Sequence, residues 1–185
     1  MDTVLITGAP ASGKLTIARL IVERTGFRLF HNQLTVNFAS SLFDFNSDDY
    51  RQLAKRLRLL ALFTIARAPS TGLVATFCYG GQHSDYFVDA VCRAAARTGG
   101  HAFFVHLICS VPALEERLRS PERQNSGKLT SADILHQVLS SWAVKHPVPG
   151  RRTCTIATDA FPPNVVASQI LEWISDARNA DHSPK

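Results

Sequence analysis

The chain has 185 residues, 45% hydrophobic and 19% charged, the ordinary values of one soluble globular domain able to build its own core. No window approaches the ~18 consecutive apolar residues of a membrane span, so a membrane is excluded as a partner. The net charge of +5 would suit nucleic acid. However, the basic residues cluster at 51–58 and 117–128, as grips on small anionic ligands would, so nucleic acid is not an expected partner.

The first apolar run, residues 3–7, predicts a strand. It begins in MDTVLITG, without the basic region or cleavage site of a secretory signal, so a cytoplasmic protein is expected. The next seven residues, Gly8-Ala9-Pro10-Ala11-Ser12-Gly13-Lys14, spell G-x-x-x-x-G-K. An amphipathic stretch at 14–25 follows, closed by Gly26. A strand, a glycine-bounded loop and a helix in that order make a phosphate-binding loop. Backbone N–H groups converge on the anion, the helix N-terminus adds positive partial charge, and Lys14 neutralises the outer phosphates. The residue after the lysine is Leu15 rather than the hydroxyl residue that normally ligates Mg²⁺, and Thr16 comes one position late.

A short strand is predicted at 27–30. Residues 33–66 read as helix, broken near Phe43-Asp44-Phe45-Asn46 and restarted by Ser47 as an N-cap. Strand 73–78, helix 84–98 and strand 101–108 follow, then a helix opened by Pro112. Residues 119–128 read as a mobile loop, 131–145 as helix, 153–157 as the last strand and 164–177 as the last helix. Residues from 179 onward read as a frayed tail. The cysteines, Cys78, Cys92, Cys109 and Cys154, lack disulfide or zinc spacing and read as small core residues in a reducing compartment.

This alternation predicts a three-layer α/β/α domain over 1–178 with a five-stranded parallel sheet. Ligands of such a sheet sit beyond the carboxyl ends of the strands. The candidates there are His31 and Asn32, then Tyr79, Gly80, Gly81 and Gln82, then Thr158 and Asp159.

In the order of its parts the chain resembles the P-loop small-molecule kinases related to shikimate kinase, gluconate kinase, adenylate kinase and chloramphenicol phosphotransferase. The resemblance covers about 4–174. It implies a glycine pair, Gly80-Gly81, presenting backbone N–H groups to the acceptor, with Gln82 beside it. Within LEERLRSPER it implies a lid at about 119–130, Arg119 stacking on adenine and Arg123 reaching the transferring phosphate. Arg117 is the weaker candidate by helical phase. Asp159 and Pro162 fall in the loop that wraps the base. Arg51 falls where shikimate kinases hold a carboxylate, but Ala54 replaces the glutamate expected three residues later. Where those kinases carry an acidic pair after the second strand, this chain has Phe30-His31-Asn32-Gln33. His31 then becomes the base or orienter of the acceptor hydroxyl, with Asp44 and Asp85 as the other groups able to take a proton.

The expected activity is therefore ATP-dependent phosphorylation of a hydroxyl on a small polar metabolite or antibiotic. Gly8 to Thr16 hold the phosphates. No protein metal site is expected, and Mg²⁺ is held mainly by nucleotide oxygens and water. The alternatives are a nucleotide or nucleoside kinase, with Tyr79 or Phe43 as base platforms, and a non-catalytic ATP-binding regulatory protein. A monomer or homodimer is expected.

Overall fold

The structure is a computed structural model that describes residues 1–69, 72–124 and 128–181. Five parallel strands form one sheet in the order β2-β3-β1-β4-β5. They are β1 (Asp2–Gly8), β2 (Arg28–His31), β3 (Gly72–Thr76), β4 (Ala102–Ile108) and β5 (Thr153–Ala157). β1, β3 and most of β4 are buried on both faces, which is why they read as continuous apolar runs without alternation.

Helices cover both faces. On one side α1 (Lys14–Thr25) and α8 (Pro163–Asp181) pack against Val4, Ile6, Val105 and Leu107. On the other, α3 (Asp48–Ile65) and α4 (Asp85–Arg97) pack against Leu5, Leu73 and Ala75 around Phe87. α2 (Gln33–Ser40) leads into α3. The Ser47 hydroxyl caps α3 by accepting from the Tyr50 N–H at 3.2 Å, as the sequence predicts. Gly26 ends α1 at φ +69°, donating its N–H to the Val22 carbonyl at 2.9 Å.

Three segments differ from the sequence expectation. Residues 119–124 are not irregular: α5 (Val111–Leu118) is followed by the short α6 (Pro121–Gln124). The expected lid also includes 125–127, which lie outside the described residues. The chain is not frayed from Asn179 either. α8 continues to Asp181, because Arg178 pairs with Asp2 at the start of β1 and Ala177 is buried. Of the predicted tail, 182–185 lie outside the described residues. Further back, the predicted helix at 131–145 stops early. α7 (Ala132–Ser141) gives way to a 3₁₀ turn at Ala143–Lys145.

The topology fixes where a ligand goes. β1 and β3 are neighbours, and the crossover after β1 runs to β2 while the one after β3 runs the other way to β4, which opens a crevice at their carboxyl ends. The GAPASGK loop follows β1 there.

Candidate active site

The loop after β1 is built from unusual backbone angles. Gly8 has φ +140°, Ala11 +66° and Gly13 +85°. The Ser12 N–H donates to the Ala9 carbonyl at 3.2 Å, and the first turn of α1 closes on the Gly13 carbonyl. The Lys14 ammonium donates to the carbonyls of Gly8 at 2.9 Å and Ala9 at 2.6 Å. Burial pulls its pKa below the ordinary lysine value, and the charge of Arg123 adds to this. A phosphate chain placed here would meet a desolvated, strongly polarising ammonium.

The loop forms one wall of a cleft of about 1000 Å³, large enough for a nucleotide and a second molecule. Seven lysines and arginines line it, and among its described lining residues there is no aspartate or glutamate. Lys14, Arg117 and Arg123 stand on the P-loop side. Arg117 donates to the Thr158 hydroxyl at 3.0 Å and carbonyl at 2.7 Å. A Cβ on Gly13 would lie 3.8 Å from the Arg117 guanidinium. This one side chain therefore ties α5 to the β5–α8 loop and lies beside the phosphate cradle.

The opposite half is made by the ends of β2 and β3 with α2, α3 and α4. His31 Nδ1 accepts the Gln33 N–H at 3.2 Å. A backbone N–H is always a donor, so the neutral ring carries its proton on Nε2. Burial lowers the His31 pKa, and the charges of Lys128, Arg19 and Lys14 lower it further, which keeps the ring neutral. His31 thus has a hydrogen-bond donor to offer, not a base. Beside it, Asn32 Oδ1 accepts from Arg58 Nε at 2.7 Å, and the Thr35 hydroxyl donates to the Asn32 carbonyl at 2.8 Å. Arg58 also donates to the Tyr86 hydroxyl at 2.8 Å and lies over the Phe77 ring.

This tautomer separates two roles. His31→Gln retains an N–H donor and is expected to keep turnover within ~10-fold, whereas His31→Leu is expected to lose about 10²-fold. Steady-state kcat for both variants decides it, because loss of a general base would bring both down together.

The other sequence candidates are distributed as follows. Thr16, Leu15, Pro10 and Ala11 line the cleft with Lys14; Gly8, Ala9 and Ser12 form the buried back of the loop. Arg123 lines the cleft and donates to the Leu129 carbonyl at 2.6 Å. Arg119 does not line it. α5 buries Leu118 as its last residue, and the turn that follows leaves Arg119 exposed. Arg117, weaker by phase in the sequence, is the inward arginine.

Gly80, Gly81 and Gln82 are also absent from the lining. The Gly80 N–H donates to the Ser84 hydroxyl at 3.1 Å, so it is not presented to the cleft. Gly80 is needed for close packing, since a Cβ there would meet His83 at 2.6 Å. His83 and Ser84 reach the cleft instead. Asp159 is exposed and accepts the Ser110 N–H at 2.8 Å. Hydrogen bonding from the Ser110 hydroxyl and then from its N–H lowers the Asp159 pKa, and the contact ties the β5–α8 loop to the β4–α5 loop. Neither Asp159 nor Pro162 lines the cleft, whereas their neighbours Thr158 and Pro163 do.

Arg51 stands on the lining but is paired with Asp48 at 2.5 Å on the exposed rim. Arg58, two turns further along α3, is the arginine held inside. Its signal in the sequence was the i, i+4, i+7 spacing of Arg51, Lys55 and Arg58 on one helical face. Neither Asp44 nor Asp85 lines the cleft. Asp85 accepts from the Tyr79 hydroxyl at 2.7 Å outside it, and burial with this contact pushes the Tyr79 pKa up to about 12. Tyr79 and Phe43 are therefore not base platforms in the cleft; Phe45, Tyr50 and Tyr86, with Phe77 beneath Arg58, are aromatic side chains that line that half.

Comparison with known proteins agrees with this geometry. The chain is 27% identical to shikimate kinase 2 of Yersinia enterocolitica over 182 residues, spanning 96% of this chain and 98% of that one. The fold is that of the P-loop small-molecule kinases. A sugar kinase from Janibacter superposes with a TM-score of 0.69 at 18% identity, covering 95% of each chain. A gluconokinase from Sinorhizobium meliloti superposes at 0.67 and 18% identity, covering 98% of each. No family model matches the chain. No helix among the described residues is long and apolar enough to cross a membrane. All four cysteines are free thiols.

Proposed function

We propose that this kinase-like chain transfers the γ-phosphoryl group of ATP to a hydroxyl of a small polar metabolite or antibiotic, in the cytoplasm, as a monomer or homodimer. One observation carries the reading: the phosphate cradle with Lys14 and a second polar pocket share a single cleft at the crevice of the sheet. The relationship to shikimate kinase supports it independently.

The residues fit a nucleoside triphosphate. Gly8 and Gly13 adopt the positive φ that curls the loop, Lys14 and Arg123 line the cleft where the outer phosphates would lie, and Arg117 stands beside the loop on Thr158. They offer Mg²⁺ little. Leu15 follows Lys14, and no group of three metal-ligating side chains exists among the described residues. In this reading Mg²⁺, when bound, is held by phosphate oxygens and water and screens their charge.

The acceptor hydroxyl enters from the side of His31 and Asn32. The bond from Pγ to the bridging oxygen breaks, and a bond from the acceptor oxygen to Pγ forms. Lys14 and the arginines stabilise the charge that shifts onto the leaving phosphate. The transition state is loose, so the hydroxyl proton departs late, to a phosphoryl oxygen or water, and no carboxylate base is required. His31 Nε2–H and the Asn32 amide orient the acceptor.

The test is direct: incubate the protein with ATP and a panel of polar metabolites and antibiotics, and look for a phosphorylated product. ATP binding without any product supports the non-catalytic binding protein. The aromatic side chains Phe45, Tyr50 and Tyr86 in the acceptor half favour a nucleotide or nucleoside as the second reading, and such compounds belong in the panel.

A further inference from the structure

The acceptor half of the cleft is nearly all donors. Asn32 Oδ1 accepts from Arg58, with the Thr35 hydroxyl, which donates at 2.8 Å to the Asn32 carbonyl, 3.1 Å away. Because arginine only donates, this fixes the amide orientation and turns the Asn32 NH₂ away from that pair, as a donor. Asn37 Oδ1 accepts from Gln33 Nε2 at 2.8 Å, and Asn46 Oδ1 takes Arg51 Nη1 at 3.4 Å. His31 has its acceptor nitrogen on the Gln33 N–H. The side-chain oxygens of Asn32, Asn37 and Asn46 and Nδ1 of His31 thus each already accept from the protein, and no described carboxylate lines the cleft to take a polyol's hydroxyl protons.

Charge adds to this. Arg51, Lys55 and Arg58 follow one face of α3, and all three line the cleft. Arg58 is rigid, held by Asn32, Tyr86 and the Phe77 ring, and its Nη2 has no partner among the described residues. Lys55 lies over the Tyr86 ring, with its ammonium 4.9 Å from the centroid. A neutral polyol could accept from these groups but would leave their positive charge uncompensated. A carboxylate has one charge and two oxygens. A phosphate monoester carries about −1.5 to −2 at neutral pH and three acceptor oxygens, the better match to Arg58 with Lys55.

We propose that the acceptor is itself a phosphate monoester, whose phosphate is held by Arg58 and Lys55 with the Asn32 amide while a separate hydroxyl faces the P-loop. This rests on the kinase reading above and narrows its substrate class. Donor saturation excludes wrong ligands as much as it attracts the right one.

The experiment is calorimetric titration of the full chain saturated with a non-hydrolysable ATP analogue. The probes are inorganic phosphate, glucose phosphate, glycerol phosphate and adenosine monophosphate, beside glucose, glycerol, adenosine, gluconate and glycerate. The expected result is saturable binding of inorganic phosphate and of at least one monoester. That monoester should bind at least ~10-fold tighter than its alcohol and its carboxylate. Arg58→Gln should lower this affinity by ~10-fold or more, with the affinity for the ATP analogue unchanged. Lys55 is exposed, so Lys55→Gln should fold normally and lower it severalfold, which covers the case of an unstable Arg58 variant. Equal binding of alcohols or carboxylates, no binding of any phosphate probe, or indifference to both substitutions overturns the proposal. Loss of the ATP analogue itself would instead overturn the kinase reading.

Discussion

Lys14→Ala is expected to abolish measurable phosphoryl transfer, lowering kcat by on the order of 10²–10³, while the fold survives. The Lys14 ammonium is the charge closest to the loop carbonyls, 2.6–2.9 Å from those of Ala9 and Gly8. Burial has already depressed its pKa, so little water competes for it. A positive charge in such a place is worth most where negative charge grows, on the oxygens of the transferring and leaving phosphates. Neither Arg123 nor Arg117 can replace it, since Arg123 is tied to the Leu129 carbonyl and Arg117 to Thr158. Alanine is a good residue for the first turn of α1, so the melting temperature should move little. Acceptor-dependent ATP consumption and a thermal melt, run side by side, check both halves.

Gly8→Ala is expected to fail in the opposite way, through the backbone. A Cβ there would sit 2.5 Å from the Leu107 carbonyl oxygen and 2.9 Å from Ser12 Oγ, and the φ of +140° already excludes an ordinary side chain. The first clash is with a β4 main-chain atom that cannot rotate away. The strain is about 1–3 kcal/mol before the clash, which for this length lowers the melting temperature by several degrees to about 10 °C. ATP affinity should fall with it, because relief comes only by moving the phosphate loop off β4. Gly26→Ala is the control. It also has positive φ, +69°, but nothing lies within 4 Å, and it is far from the cleft. It should cost about 1 kcal/mol and leave ATP binding intact.

The sheet and the phosphate loop were legible because their signals are local. Apolar runs such as Val4-Leu5-Ile6 and the GAPASGK string describe a strand and its turn without reference to the rest of the chain. Helix ends at Gly26 and Ser47 were legible for the same reason. The acceptor half was not, because its chemistry depends on which side chain consumes which neighbour. His31 reads as a base until the Gln33 N–H occupies its Nδ1. Gly80 reads as a donor to substrate until Ser84 takes its N–H. Arg51 and Arg58 lie on the same face of α3, and only packing against Phe77 and Tyr86 shows the second to be the one held inside. Likewise only the bonds to Thr158 show that Arg117, and not Arg119 beyond the end of α5, is the inward arginine.

The central claim is that one cleft brings a nucleotide phosphate and an acceptor hydroxyl together. Phosphorus NMR of the wild-type protein with ATP, Mg²⁺ and the acceptor panel tests it most directly. The account predicts that one acceptor gains a phosphate-ester signal as ADP accumulates in equal amount, and that Lys14→Ala gives neither. ATP that binds but is never passed to any acceptor, or a product signal that Lys14→Ala leaves untouched, would contradict it.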